Sequence, residues 1–246
     1  MRKSYRELTE EIKTDGERLK LIAALGSSDD LAYHYALICE DWAAGGKLLL
    51  ENSFDRHGEA GIVFLLEQLR ALGTASKTDE SAAAGTATDT AYLAAKILSQ
   101  LRHRDFYAAR AKELAALLTA RWEISDIALR RKQIIALGWI GSESEINLLI
   151  DSMQSDSDAL CRAWAAAALM QLSFHAVDAA FLRERTKTAF AEAIQKEGDL
   201  NAAGIMIEAA QTLFGKKWIS AAAAEAAESE SIEKARKSAL RFLGKA

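Results

Sequence analysis

Apolar residues recur along this chain every three or four positions, and nowhere do β-branched residues alternate with polar ones, so the pattern predicts helices and no strands. Ser4-x-x-Glu7 and Thr14-x-x-Glu17 open the first two helices, because a hydroxyl and a carboxylate at this spacing satisfy orphaned backbone N–H groups reciprocally. Leu31, Tyr35, Ile38, Cys39 and Trp42 form the next apolar stripe, which Gly45 and Gly46 interrupt. A short helix over 47–51 and a polar turn over 52–58 are expected to follow, then a helix carrying Ile62, Leu65, Leu66, Leu69 and Leu72 that ends at Gly73. Residues 74–88 are rich in Ala, Ser, Thr, Asp and Gly and hold no large apolar side chain, which predicts a mobile loop. Helix is expected to resume at Asp89 with Leu93, Ile97 and Leu101 facing one way. Asp105 is placed to cap the next helix, which carries Phe106, Leu114, Leu117 and Leu118. In the last part of the chain, four helical patterns cover 181–194, 200–214, 218–227 and 232–243.

Residues 124–173 contain one pattern twice. An Asp (126, then 158) is followed four residues later by an Arg (130, then 162) and seven beyond that by a Leu (137, then 169). A separate apolar helix, opened by the capping box Ser142-x-x-Glu145, lies between the copies, so the repeating unit is a pair of helices. Arg18, Lys20, Ile22, Ala24, Leu25 and Gly26 match the stretch from Arg130 to Gly138, and the Arg236-to-Leu243 spacing repeats the Arg-to-Leu interval again. Gly26 and Gly138 are placed to close their helices in a left-handed conformation. Pairs at intervals of roughly 30 to 40 residues predict about six or seven of them. Together they form a single domain over 1–246.

The pattern Asp-x-x-x-Arg-x-x-Ala-x-x-Ala-Leu-Gly, preceded by a Leu-rich helix, resembles the bacterial HEAT-like repeats, including those of phycobilin lyases. The resemblance is best over 126–173, good at 18–26 and 232–243, and weak over 31–101. It implies an all-α solenoid in which the first helix of each pair lines the convex face and the second the concave face. It also implies that Arg130, Arg162 and Arg236 open concave-side helices and bond to an Asp or a carbonyl of a neighbouring repeat. The chain lacks the proline often found before that Arg, and it has no Arg at Leu93–Ala94 or Ala202–Ala203, so a continuous arginine ladder is not expected.

Composition supports this reading and adds little chemistry. Proline is absent altogether, which suits uninterrupted helices, and alanine is abundant. Cys39 and Cys161 sit among apolar residues without a CxxC spacing and are read as buried small hydrophobes in a reducing cytoplasm. The first residues read as a charged helix, expected to be neither signal peptide nor anchor, and no apolar run approaches the length that spans a bilayer. His34, His57, His103 and His175 are scattered, and the repeated His-Glu pairs that hold iron in the HEAT-like deoxyhypusine hydroxylases are missing. Gly45-Gly-Lys47 lacks the remaining residues of a phosphate loop. No catalytic residue, metal or cofactor is expected.

Charge is unevenly distributed. Residues 29–59 hold seven acids against two bases, whereas residues 102–132 hold eight bases against four acids. Solvated helix faces account for much of this. The functional reading is a basic central surface of Arg102, His103, Arg104, Arg130, Arg131 and Lys132 that meets an acidic partner. Trp164, in an Ala-rich helix, is read as core, and Trp139 as partly exposed. The function expected is a cytoplasmic, non-enzymatic scaffold that binds a protein partner on its concave face through Arg131, Lys132, Trp139, Arg102 and Arg104. An adaptor, an assembly factor and an immunity-type protein all fit. Two alternatives are a DNA-binding protein related to HEAT-like alkylation-repair glycosylases, which the net charge of −4 weakens, and a phycobilin-lyase-like chromophore chaperone.

Overall fold

The computed structural model describes residues 2–74 and 80–244, among which there are thirteen α-helices and no strand. They fall into two compact units, Met1–Arg110 and Ala111–Ala246.

The first unit contains α1 (Tyr5–Glu11), α2 (Asp15–Gly26), α3 (Leu31–Ala43), α4 (Gly58–Thr74), α5 (Glu80–Gln100) and the start of α6 (Tyr107–Thr119). Its centre is a 3-10 segment, Leu50–His57, which packs against α2, α3, α4 and α5 and buries Leu50 and Phe54 completely. The sequence pattern puts a helix at 47–51 and a turn at 52–58. The structure reverses that order, because the buried carboxylate of Asp41 on α3 accepts the Leu48 N–H at 2.9 Å and the Tyr5 hydroxyl at 2.7 Å. A buried carboxylate without donors is costly, so these bonds are satisfied at the expense of local helix. Residues 45–49 become a turn with positive φ at Gly45, Gly46 and Leu49.

The expected loop over 74–88 is also revised. Residues 80–88 form the first turns of α5, and Ala87, Thr88 and Thr90 are buried, with the Tyr35 hydroxyl bonded to Thr90 Oγ1. The alanines that suggest a loop are good helix formers, and Ala87 and Thr88 are small enough to be buried. The remainder of that expected loop, 75–79, lies outside the described residues.

The second unit holds α7 (Ile127–Ile140), α8 (Ile146–Ser155), α9 (Ala159–Leu172), α10 (Ala179–Lys196), α11 (Leu200–Leu213), α12 (Ala221–Glu225) and α13 (Ser229–Leu243). Helices α7, α9, α11 and α13 form one row, each packed on the next, while α8 and α10 pack together in a second row against α9 and α11. Helix α12 has only five residues, and α10 packs directly on α13. The rows close over a continuous core that includes Ile134, Leu137, Leu149, Leu169, Phe190 and Ile207, all fully buried.

Gly26 is the last residue of α2 and Gly138 lies inside α7, and neither has positive φ, so they are not left-handed caps. Their role is close approach. A Cβ at Gly138 would meet the Ala168 Cα at 2.8 Å, and one at Gly26 would meet Ser53 at 2.8 Å. The missing side chain lets α7 touch α9, and α2 touch the central 3-10 segment.

Candidate protein-interaction face

Three helices of the second unit begin alike. Asp126, Asp158 and Asp199 each accept a backbone N–H three residues on, from Leu129, Cys161 and Ala202, at 2.8–2.9 Å. These caps put α7, α9 and α11 in a common register. Six residues past each cap stand Lys132, Trp164 and Ile205; nine past stand Ile135, Ala167 and Glu208; thirteen past stand Trp139, Gln171 and Thr212. Steps of three and four place these positions on one side of each helix. All nine are partly or fully exposed. Because α7 packs on α9 and α9 on α11, they compose one surface three helices wide. Trp164 stands at its middle, 37% exposed.

A set of arginines braces the helices beneath it. Arg130 forks onto the two oxygens of Asp156 at 2.7 and 2.8 Å and donates to the Ile124 carbonyl at 2.9 Å. Arg162 forks onto Glu197 at 2.7 and 2.8 Å and donates to the Asp156 carbonyl at 2.7 Å. Arg236 donates to the Ile194 and Glu197 carbonyls at 2.9 and 2.7 Å. Asp156 and Glu197 end α8 and α10, so each arginine ties a row-one helix to the carbonyl end of a row-two helix, where the helix dipole favours a cation. Helix α11 has Ala203 where Arg130 and Arg162 stand, and Arg236 bonds past it to the end of α10. The spacing is therefore interrupted at α11, as expected from Ala202–Ala203, while the bracing of α10 continues.

Residues 80–170 match a sequence model of HEAT repeats. Over that stretch the chain is similar to HEAT repeats. No curated protein and no solved structure matches it. The matched stretch runs from α5 to α9 and includes both copies of the Asp–Arg–Leu pattern.

The residues singled out as partner contacts divide between the two units. Lys132 and Trp139 lie on the α7 part of the face, both partly exposed. Arg131, next along α7, forks onto Asp158 at 3.0 and 2.9 Å. That fork holds the Asp158 carboxyl down to about 2, well below the usual carboxylate range. Arg102 and Arg104 are exposed on the turn between α5 and α6, in the other compact unit. Trp164, read from sequence as core, is exposed, and Phe174 just beyond α9 is 62% exposed. An Ala-rich surround suggests burial only if Trp164 faces the alanines. The buried ones, Ala163, Ala165, Ala166 and Ala168, lie on the other sides of α9. Aligning Asp199 with Asp126 and Asp158 would have found the face, but α11 lacks the Arg that marks the other copies.

The remaining chemistry of this unit is quiet. Cys161 is buried and its thiol is pushed up to about 11, first by burial and then by the nearby Asp156 carboxylate, so it stays protonated at neutral pH. No group of three or more potential metal ligands occurs among the described residues. No helix among them is long and apolar enough to cross a membrane.

Proposed function

We propose that this HEAT-repeat chain is a non-enzymatic scaffold that binds a protein partner on the surface carried by α7, α9 and α11, the concave side in the usual repeat arrangement. The observation that carries the reading is the exposure of Trp164 between Lys132 and Ile205 on helices braced from below. An indole held on a rigid helix offers a large contact area with little side-chain entropy left to lose, the usual character of a binding hot spot. Around it Ile135, Ala167, Ile205 and Trp139 supply an apolar centre, and Lys132 and Glu208 supply sparse charge.

The alternative of DNA binding is disfavoured by where the cations go. Arg130, Arg131 and Arg162 are committed to Asp156, Asp158 and Glu197, and Arg236 to carbonyls, so four of the basic side chains are not offered to phosphate.

The test is affinity capture from the source lysate with full-length wild type and with Trp164→Asp, each with and without nuclease. A near-stoichiometric protein that survives nuclease, is held by wild type and is lost with Trp164→Asp at unchanged thermal stability is the expected result. Equal capture by both proteins would refute the reading, and capture that disappears with nuclease would return the DNA alternative.

A further inference from the structure

A second feature of the Ala111–Ala246 unit shares no residue with the Trp164 face. It is a cleft between residues 122–125, which lead into α7, and helix α8, and it is lined by Trp122, Glu123, Ile124, Ser125, Leu148 and Asp151, among others. Arg130 and Asp156 also line it. That pair is self-contained: the guanidinium spends its donors on both Asp156 oxygens and on the Ile124 and Ser125 carbonyls. Ser152 and Ser155, which also line the cleft, donate to the carbonyls of Leu148 and Asp151 within α8.

What is left unsatisfied is one aromatic ring and two charges of the same sign. Trp122 is half-buried, and Glu123 and Asp151 are exposed. Neither carboxylate has an ion-pair partner among the described residues. An anion would be repelled here, and a purely apolar side chain would strip water from two carboxylates without replacing it. A guanidinium meets both demands, because it is weakly hydrated, stacks on an indole and forks onto a carboxylate.

We propose that this cleft is a docking site for a basic peptide segment of a protein partner, with an arginine side chain seated against Trp122 and paired with Asp151 and Glu123. The partner's chemistry is set by charge complementarity.

The probe is the tripeptide amide Gly-Arg-Gly, titrated into the full-length protein at low ionic strength while the Trp122 indole N–H resonance, assigned by its loss in Trp122→Phe, is followed by NMR. The proposal expects a saturable shift of that resonance, absent with the citrulline counterpart. Asp151→Asn and Glu123→Gln, exposed substitutions that leave the fold intact, are each expected to weaken binding by about two- to fivefold, the scale of a solvent-screened ion pair. Added salt should weaken it further. No saturable shift, an equal shift with the citrulline peptide, or unchanged affinity in both carboxylate variants would overturn the assignment. Because the Trp164 face lies on other residues, none of these outcomes bears on that reading.

Discussion

The Glu197 carboxylate is nearly sealed from solvent, with its side chain 1% exposed, yet it is paired. Burial alone would push its carboxyl up, but the Arg162 fork and the amides of Asp199 and Gly198 outweigh it and leave it below the usual range. Removing one partner of such a pair is far worse than removing both. Arg162→Met is therefore expected to cost about 3–5 kcal/mol in urea denaturation. Arg162→Met combined with Glu197→Leu should recover most of that loss, and a double variant as unstable as the single one would contradict the argument. A second residue-scale device lies in the first unit. The fully buried His34 donates from Nε2 to the Leu50 carbonyl at 3.0 Å, which leaves its Nδ1 to accept from His57 Nε2 at 2.9 Å. Burial lowers both imidazoles below the ordinary 6.5, although Asp55 and Asp29 act on His57 in the opposite sense. A folded-state pKa below the unfolded one means that the neutral pair contributes fully above about 6.5 and that its contribution is lost as pH falls below that value. Melting temperature should fall as pH is lowered from about 7 towards 5. The fall should be shallower in His57→Gln, and an identical pH profile in that variant would exclude the pair as its cause.

At the scale of elements, small residues decide which helices touch. Gly138 of α7 meets the Ala168 backbone of α9, and His175 beyond α9 bonds from Nε2 to the Gly138 carbonyl at 3.0 Å. Gly138→Ala forces a methyl into backbone that cannot swing aside, and a loss of about 1–3 kcal/mol is expected despite the higher helix propensity of alanine. A neutral or stabilising result by thermal denaturation would show that α7 and α9 slide apart easily. The two glycines read as left-handed caps are thus contact points, a distinction that depends on what faces them. The reversed order of turn and helix around 45–57 has the same origin, because Asp41 draws its donors from Tyr5 and Leu48 on separate segments.

At the scale of the whole molecule, four arginines of the second unit make bonds with both ends inside it: Arg130 with Asp156, Arg131 with Asp158, Arg162 with Glu197 and Arg236 with the Ile194 and Glu197 carbonyls. Its rows of helices also bury a continuous core of their own, as stacked repeats do. A fragment of residues 107–246, which keeps α6 whole, is accordingly expected to fold alone and to melt cooperatively by circular dichroism. A fragment that stays unfolded would mean that this unit depends on residues 1–106.

The period of the apolar positions and the recurrence of Asp, Arg and Leu at fixed intervals determined by themselves the helical class, the repeat and the register of α7 and α9, because each is a local or periodic property. The capping boxes at Ser4, Thr14 and Ser142 formed where the spacing placed them, since a cap is completed within four residues. Tertiary structure alone decided which side of a helix meets solvent where alanine surrounds a large residue. Trp164 emerges because the alanines beside it are consumed by neighbouring helices, and Arg131 is withdrawn because Asp158 lies on the next repeat. Exposure and ion pairing depend on what another segment brings alongside, and a one-dimensional pattern carries no record of that.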